Sequence, residues 1–104
     1  MTRVIYEPEE HRMRIEGHAG SAPMGEALVC AAATILGWTL IAGAEEDPDY
    51  GMHLYLNDGI IDVRCYPQEE KEERCRDLFN TIARGYDLMA GKYPDYIGME
   101  VKHG

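Results

Sequence analysis

Two alternating runs, Met52 to Leu56 and Ile60 to Tyr66, flank the tripeptide Asn57-Asp58-Gly59. Asp and Gly tolerate the positive φ that a tight turn demands, so the stretch is predicted to be a β-hairpin. Its neighbours must then extend this sheet or cover it. Residues 2–6 read as a strand, Glu7-Pro8-Glu9-Glu10 as a turn, and His11 to Glu16 as a second strand with Met13 and Ile15 on one face. Near the end, Ile97, Met99 and Val101 alternate with Gly98, Glu100 and Lys102, which marks a last strand over Tyr96 to Lys102.

Two helices are predicted between the strands. The first begins near Met24–Glu26 and runs to about Ala42, with Gly43 as its stop. Leu28, Ala31, Ala32, Ile35, Leu36 and Thr39 follow helical spacing and form its expected core face. Ala44 to Tyr50 is an acidic loop. The second helix spans roughly Glu69 to Ala90, after Pro67 and before Gly91 and Pro94. Its expected buried stripe is Cys75, Leu78, Phe79, Ile82, Tyr86 and Met89. The order β-β-α-β-β-α-β predicts an α+β fold: a mixed sheet with two helices packed on one face, in a single domain over residues 1–104.

Composition narrows the function. The net charge is −9, from 10 basic and 19 acidic residues, which argues against general nucleic-acid binding because phosphate contacts need clustered Lys and Arg. It suits a basic peptide or protein as partner, and equally a merely soluble surface. The odd set Cys30, Cys65 and Cys75 does not form a disulfide framework, and the polar start is no signal peptide. The longest apolar run, Ala27 to Ala44, is interrupted by Thr34, Gly37, Trp38 and Thr39 and is expected to be too short for a membrane helix. A reducing cytoplasmic setting follows, with free thiols. No CxxC or HxxxH spacing supports a metal site, and the glycines at 17, 20 and 25 lack the lysine of a phosphate loop, so no cofactor is implied.

One segment holds the candidate chemistry. Gly17 to Gly25 is rich in glycine and small residues, includes Pro23, and is expected to be irregular and mobile. It carries His18, and Cys30 lies early in the helix that follows. A thiol attacks only as its thiolate, which a nearby imidazole can generate. Cys30 is expected off the core stripe, on a line with Glu26, Ala33, Thr34 and Gly37 that gives it space and hydrogen-bond partners. Cys65 and Cys75 read as small buried residues. A lone Cys and a lone His twelve residues apart also occur by chance, so these features leave catalysis open.

Gly17-His18-Ala19, followed by Gly25-Glu26-Ala27-Leu28-Val29-Cys30-Ala31-Ala32, resembles the ribosomal-processing cysteine protease family Prp. The family pattern is Gly-His-Ala after a hairpin, then Gly-x-Asp-Ile-Val-Cys-Ala-Ala at a helix start. The twelve-residue interval, the length and the order of elements agree as well. The resemblance implies a homodimeric cytoplasmic protease. Such an enzyme removes a short N-terminal extension from a ribosomal large-subunit protein precursor, cutting after an aromatic-rich stretch. By position, Cys30 matches the nucleophile, His18 the base, and Gly17 and Gly25 the glycines that bound the loop. Two positions depart from the pattern: the family aspartate is Ala27 here, and the family serine is Thr34, which keeps the hydroxyl. Glu26, at i−4 from Cys30, is a candidate to replace the lost carboxylate. Oxyanion donors are expected among the backbone N–H groups of residues 19–25. Two alternatives stay open: a binding module that kept the fold and lost the reaction, and a relative that processes another protein, such as a phage structural one.

Overall fold

The computed structural model describes residues 1–17 and 24–104. Five strands, β1 (Thr2–Glu7), β2 (Arg12–Glu16), β3 (Met52–Asn57), β4 (Ile60–Cys65) and β5 (Ile97–Val101), form one sheet in the order β3-β4-β2-β1-β5. Helix α1 (Met24–Glu45) links β2 to β3, and α2 (Glu72–Lys92) links β4 to β5. The sheet is mixed: β1–β2, β2–β4 and β3–β4 are antiparallel, while β1 and β5 run parallel. This is the predicted α+β order.

Strand alternation separates the two faces of the sheet. Val4, Tyr6, Met13, Ile15, Ile61, Val63, Cys65 and Ile97 are buried and form one core with residues of both helices. The other face is charged. Asp62 is 8% exposed there because the Arg12 guanidinium donates to both its carboxylate oxygens, at 3.0 and 2.7 Å, and Arg14 adds a third hydrogen bond at 3.3 Å. Such a forked pair satisfies a carboxylate that burial would otherwise penalise.

Helix α2 follows its sequence pattern: Cys75, Phe79, Ile82 and Tyr86 are buried, and Leu78 and Met89 pack against the core. It continues through Gly91 to Lys92, so Gly91 is not its stop. Helix α1 departs further. Gly43 lies inside it, beneath Leu78 of α2, where an added methyl would come within 2.8 Å of Leu78 Cδ1. Its buried residues are Val29, Ala33, Gly37, Leu40, Ile41 and Ala44. Of the six residues expected inside, only Leu36 packs against the core, whereas Leu28 and Ile35 are 63% and 65% exposed. The helix is apolar nearly all round, so spacing alone does not choose a face. Space chooses it: a methyl on Gly37 would lie 3.0 Å from Ile61 Cδ1 and 3.3 Å from the Tyr86 hydroxyl. That hydroxyl donates to the Ala33 carbonyl oxygen at 2.7 Å. Only small side chains let the backbone of α1 come this close. The expectation that this segment is too short for a membrane helix is also corrected: the helix extends past residues 27–44 to 22 residues, and is long and apolar enough to cross a membrane by length and composition. Here it is instead packed on the sheet and α2 through its small residues.

Candidate active site

Cys30 is in the second turn of α1, at the border between the buried stripe and solvent. Ala33 and Gly37, expected beside it outside the core, are themselves core. The thiol lines a cleft of about 230 Å³. α1 contributes Cys30, Thr34 and Trp38; β3 and its turn contribute Leu56, Asn57 and Gly59; Thr2 and Gly17 also line it. An apolar hollow with a few convergent polar groups is the usual form of a peptide or small-molecule site.

Gly17 brings the β2 end of the chain against the thiol. A methyl at Gly17 would lie 3.3 Å from Cys30 Sγ and 2.8 Å from Thr2 Oγ1. Gly17 N–H donates to the Gly59 carbonyl oxygen at 2.8 Å, which ties it to the β3–β4 turn. Gly59 has φ +74°, and a Cβ there would collide with the Gly17 carbonyl oxygen. Both the left-handed conformation and the close approach therefore require glycine.

The other predicted site residues divide. Thr34 lines the cleft, and its hydroxyl donates to the Cys30 carbonyl oxygen at 2.9 Å, which anchors the thiol's own turn of helix. Glu26 accepts from the Met1 amino group at 2.6 Å. Gly25 lies against the Tyr96 ring, where an added methyl would be 3.4 Å from its hydroxyl. Neither Glu26 nor Gly25 lines the Cys30 cleft. His18, the mobile-loop expectation, and the expected donors from 19 to 23 lie outside the described residues.

Cys65 and Cys75 are buried, 2% and 0% exposed, as their sequence contexts suggest. Cys65 is pushed far above the ordinary thiol range by its hydrogen bond to Cys75 and by burial. That leaves Cys30 as the thiol that opens on a cleft. Among the described residues no group of three His, Cys, Asp or Glu side chains is placed to hold a metal ion.

Sequence reasoning missed Thr2, Trp38, Leu56, Asn57 and Gly59 as cleft residues. The Asp58-Gly59 turn is visible in the sequence, but nothing local says that it meets Gly17 and Cys30.

The sequence profile described as cysteine protease Prp matches residues 1–98. No curated protein matches the chain. Among solved structures, it is similar to SMU.848 from Streptococcus mutans, with TM-score 0.79, 23% identity and coverage of 99% of this chain and 93% of that one. It is also similar to an essential ribosomal processing protease Prp from S. aureus in complex with a substrate peptide, with TM-score 0.83, 15% identity and coverage of 98% and 100%. The same S. aureus protease with a covalently linked product peptide matches at TM-score 0.79 and 17% identity, covering 98% of this chain and 100% of that one. At these identities the likeness carries the fold.

Proposed function

The chain belongs to the cysteine protease Prp family, and we propose that it removes a short N-terminal extension from a ribosomal large-subunit protein precursor, with Cys30 as nucleophile and His18 as general base. The observation that carries the assignment of residues is the seat of Gly17 against the Cys30 thiol. His18 follows Gly17 by one peptide unit, about 3.8 Å between Cα atoms. That adjacency in sequence to a glycine packed on Sγ is what supports pairing His18 with Cys30.

In this mechanism His18 takes the Cys30 proton, and the thiolate attacks the scissile carbonyl carbon. The tetrahedral intermediate collapses to a thioester as His18 protonates the leaving amine. Water, deprotonated by His18, then attacks the thioester and releases the new C-terminal carboxylate, and the thiol is restored. Thr34 keeps the Cys30 turn in place through its hydrogen bond to the carbonyl oxygen. Trp38 and Leu56 offer apolar walls to the substrate side chains next to the scissile bond.

The partner is proposed to be the extension segment of the precursor, drawn in by the −9 charge where that segment is basic. The enzyme is proposed to act in the cytoplasm, where thiols remain reduced, and as a homodimer. The uncharged outer side of α1, with Leu28 and Ile35 exposed, supports self-association. An uncharged face lessens the repulsion between two copies that each carry −9.

Mass spectrometry of the precursor incubated with wild-type and Cys30→Ala protein tests the reaction. Wild type is expected to release the extension at one bond and Cys30→Ala to leave the precursor whole. Cleavage by Cys30→Ala would remove the nucleophile assignment, and an intact precursor with wild type would remove the substrate.

A further inference from the structure

β3 is an edge of the sheet. Its residues Met52–Asn57 include no Asp, Glu, Lys or Arg, in a chain that is 28% charged. Native edge strands are ordinarily guarded by charge, proline or a bulge, because their free N–H and C=O groups pair with any extended chain. The opposite edge follows that rule, since β5 carries Glu100 and runs into Lys102. β3 does not: Leu54, Tyr55 and Leu56 are 37%, 52% and 45% exposed.

The register of the hairpin says where the free groups point. Asn57 pairs with Ile60 across the Asp58-Gly59 turn, so this closing pair exchanges backbone hydrogen bonds. Alternation makes Tyr55–Asp62 and His53–Arg64 hydrogen-bonded pairs too, and Leu56–Ile61 and Leu54–Val63 non-hydrogen-bonded ones. The N–H and C=O groups of Leu54 and Leu56 are thus directed away from β4, to the open edge. Their side chains share the helix-covered face with the buried Ile61 and Val63 opposite them. Leu56 continues into the cleft, beside Trp38 and Cys30.

We propose that β3 is the docking edge for the substrate, which adds to the sheet as a sixth strand hydrogen-bonded to Leu54 and Leu56 and passes Asn57 into the Cys30 cleft. The occupant is an extended peptide segment that is apolar and free of acidic residues. An uncharged edge lined by Leu54 and Leu56 does not compensate a buried carboxylate, and the −9 charge of the chain repels one. Main-chain hydrogen bonds supply affinity that is indifferent to side chains, and every second residue of the peptide is read on the Leu54, Leu56 and Trp38 side. Continuity of the edge with the cleft favours substrate over a second copy, because a partner strand seated on β3 would cover the way to the thiol. The inference rests on the protease reading for the identity of the reaction, but docking can be measured without it.

The test is a scan of N-methylated peptides that span the precursor's cleavage junction, titrated into Cys30→Ala protein. Trp38, the single tryptophan, reports binding by its fluorescence. Methylation at amides that donate to β3 is expected to weaken binding about tenfold, at every second position, while the amides between change it less than about twofold. A second variant, Leu54→Pro, removes an outward N–H and spares the ladder to β4. It is expected to keep a folded far-UV spectrum and lose about tenfold in peptide affinity. Weakening without a two-residue alternation, no binding of the unmethylated peptide, or full affinity in folded Leu54→Pro overturns the inference. So does a Leu54→Pro variant that turns a dimer into a monomer and keeps its peptide affinity, since the edge would then belong to a second copy. Cleavage of the unmethylated peptide by wild type, read separately, decides the protease reading.

Discussion

The contact between Gly59 and Gly17 gives a sharp test of how the cleft is held. In Gly59→Ala the new methyl meets two obstacles. The residue must keep φ +74°, which costs an alanine about 1–2 kcal/mol. The methyl also collides with the Gly17 carbonyl oxygen, and relieving that overlap by a backbone shift costs about 1–3 kcal/mol more. A total of about 2–5 kcal/mol, at roughly 4–8 °C per kcal/mol for a domain near this size, lowers Tm by at least about 8 °C. Calorimetry on wild type, Gly59→Ala and Gly59→Asn separates the two causes. Asn accepts the left-handed region readily but carries the same Cβ, so it is expected to recover the conformational part only. Gly91→Ala is the control, because nothing lies within 4 Å of a methyl there and the helix gains from losing a glycine; its Tm is expected to rise slightly. Since Gly17 is bonded to Gly59 and packs on Cys30, kcat/KM of the folded fraction of Gly59→Ala should fall as well. A Gly59→Ala protein with unchanged Tm and kcat/KM, or a Gly59→Asn protein with full stability, would refute the close-approach argument.

Other expectations follow from burial and charge. Iodoacetamide at pH 8 should place one adduct per native chain, on Cys30, and reach Cys65 and Cys75 only in denaturant; peptide mapping that finds either buried thiol modified first would contradict the packing. Burial pushes Tyr6 up to about 12 and Tyr86 also upward. Between pH 10 and 12 the unfolded chain therefore loses phenolic protons that the folded chain keeps, and stability should fall as pH rises, with a shallower fall in Tyr6→Phe; urea unfolding at pH 8 to 11 reads the slope, and a rise or a flat profile would be wrong for these groups. Ile35→Asp, at a site 65% exposed, should keep a folded far-UV spectrum and give a monomer in sedimentation; a persistent dimer would place the interface elsewhere.

Legibility in the sequence tracked how local the physics was. The Asp58-Gly59 turn needs a glycine at positive φ, and this one has φ +74°. The Pro8–Glu10 turn resolves as a short 3-10 helix closed by His11 in the left-handed region, at φ 49°. Helix α2 has a polar side to contrast with its apolar stripe, so Cys75, Phe79, Ile82 and Tyr86 were identifiable as core from spacing. Helix α1 lacks that contrast over residues 27–44, and the larger side chains drew the choice to the wrong face.

The family motif singles out Cys30 and His18 as candidates because the residue types, the loop glycines and their interval are all properties of the chain in order. Where Cys30 looks is a different matter. That it borders the core, that Gly17 touches its thiol, and that Leu56, Asn57 and Gly59 wall its cleft depend on contacts between segments far apart in sequence. By itself, then, the sequence determined the strands and the two helices, since each follows from periods and turns within a few residues, and its motif proposed the reactive pair. Only the tertiary structure decided which side of α1 faces inward. The sheet and Tyr86 approach so closely there that Ala33 and Gly37 fit and Leu28 and Ile35 do not.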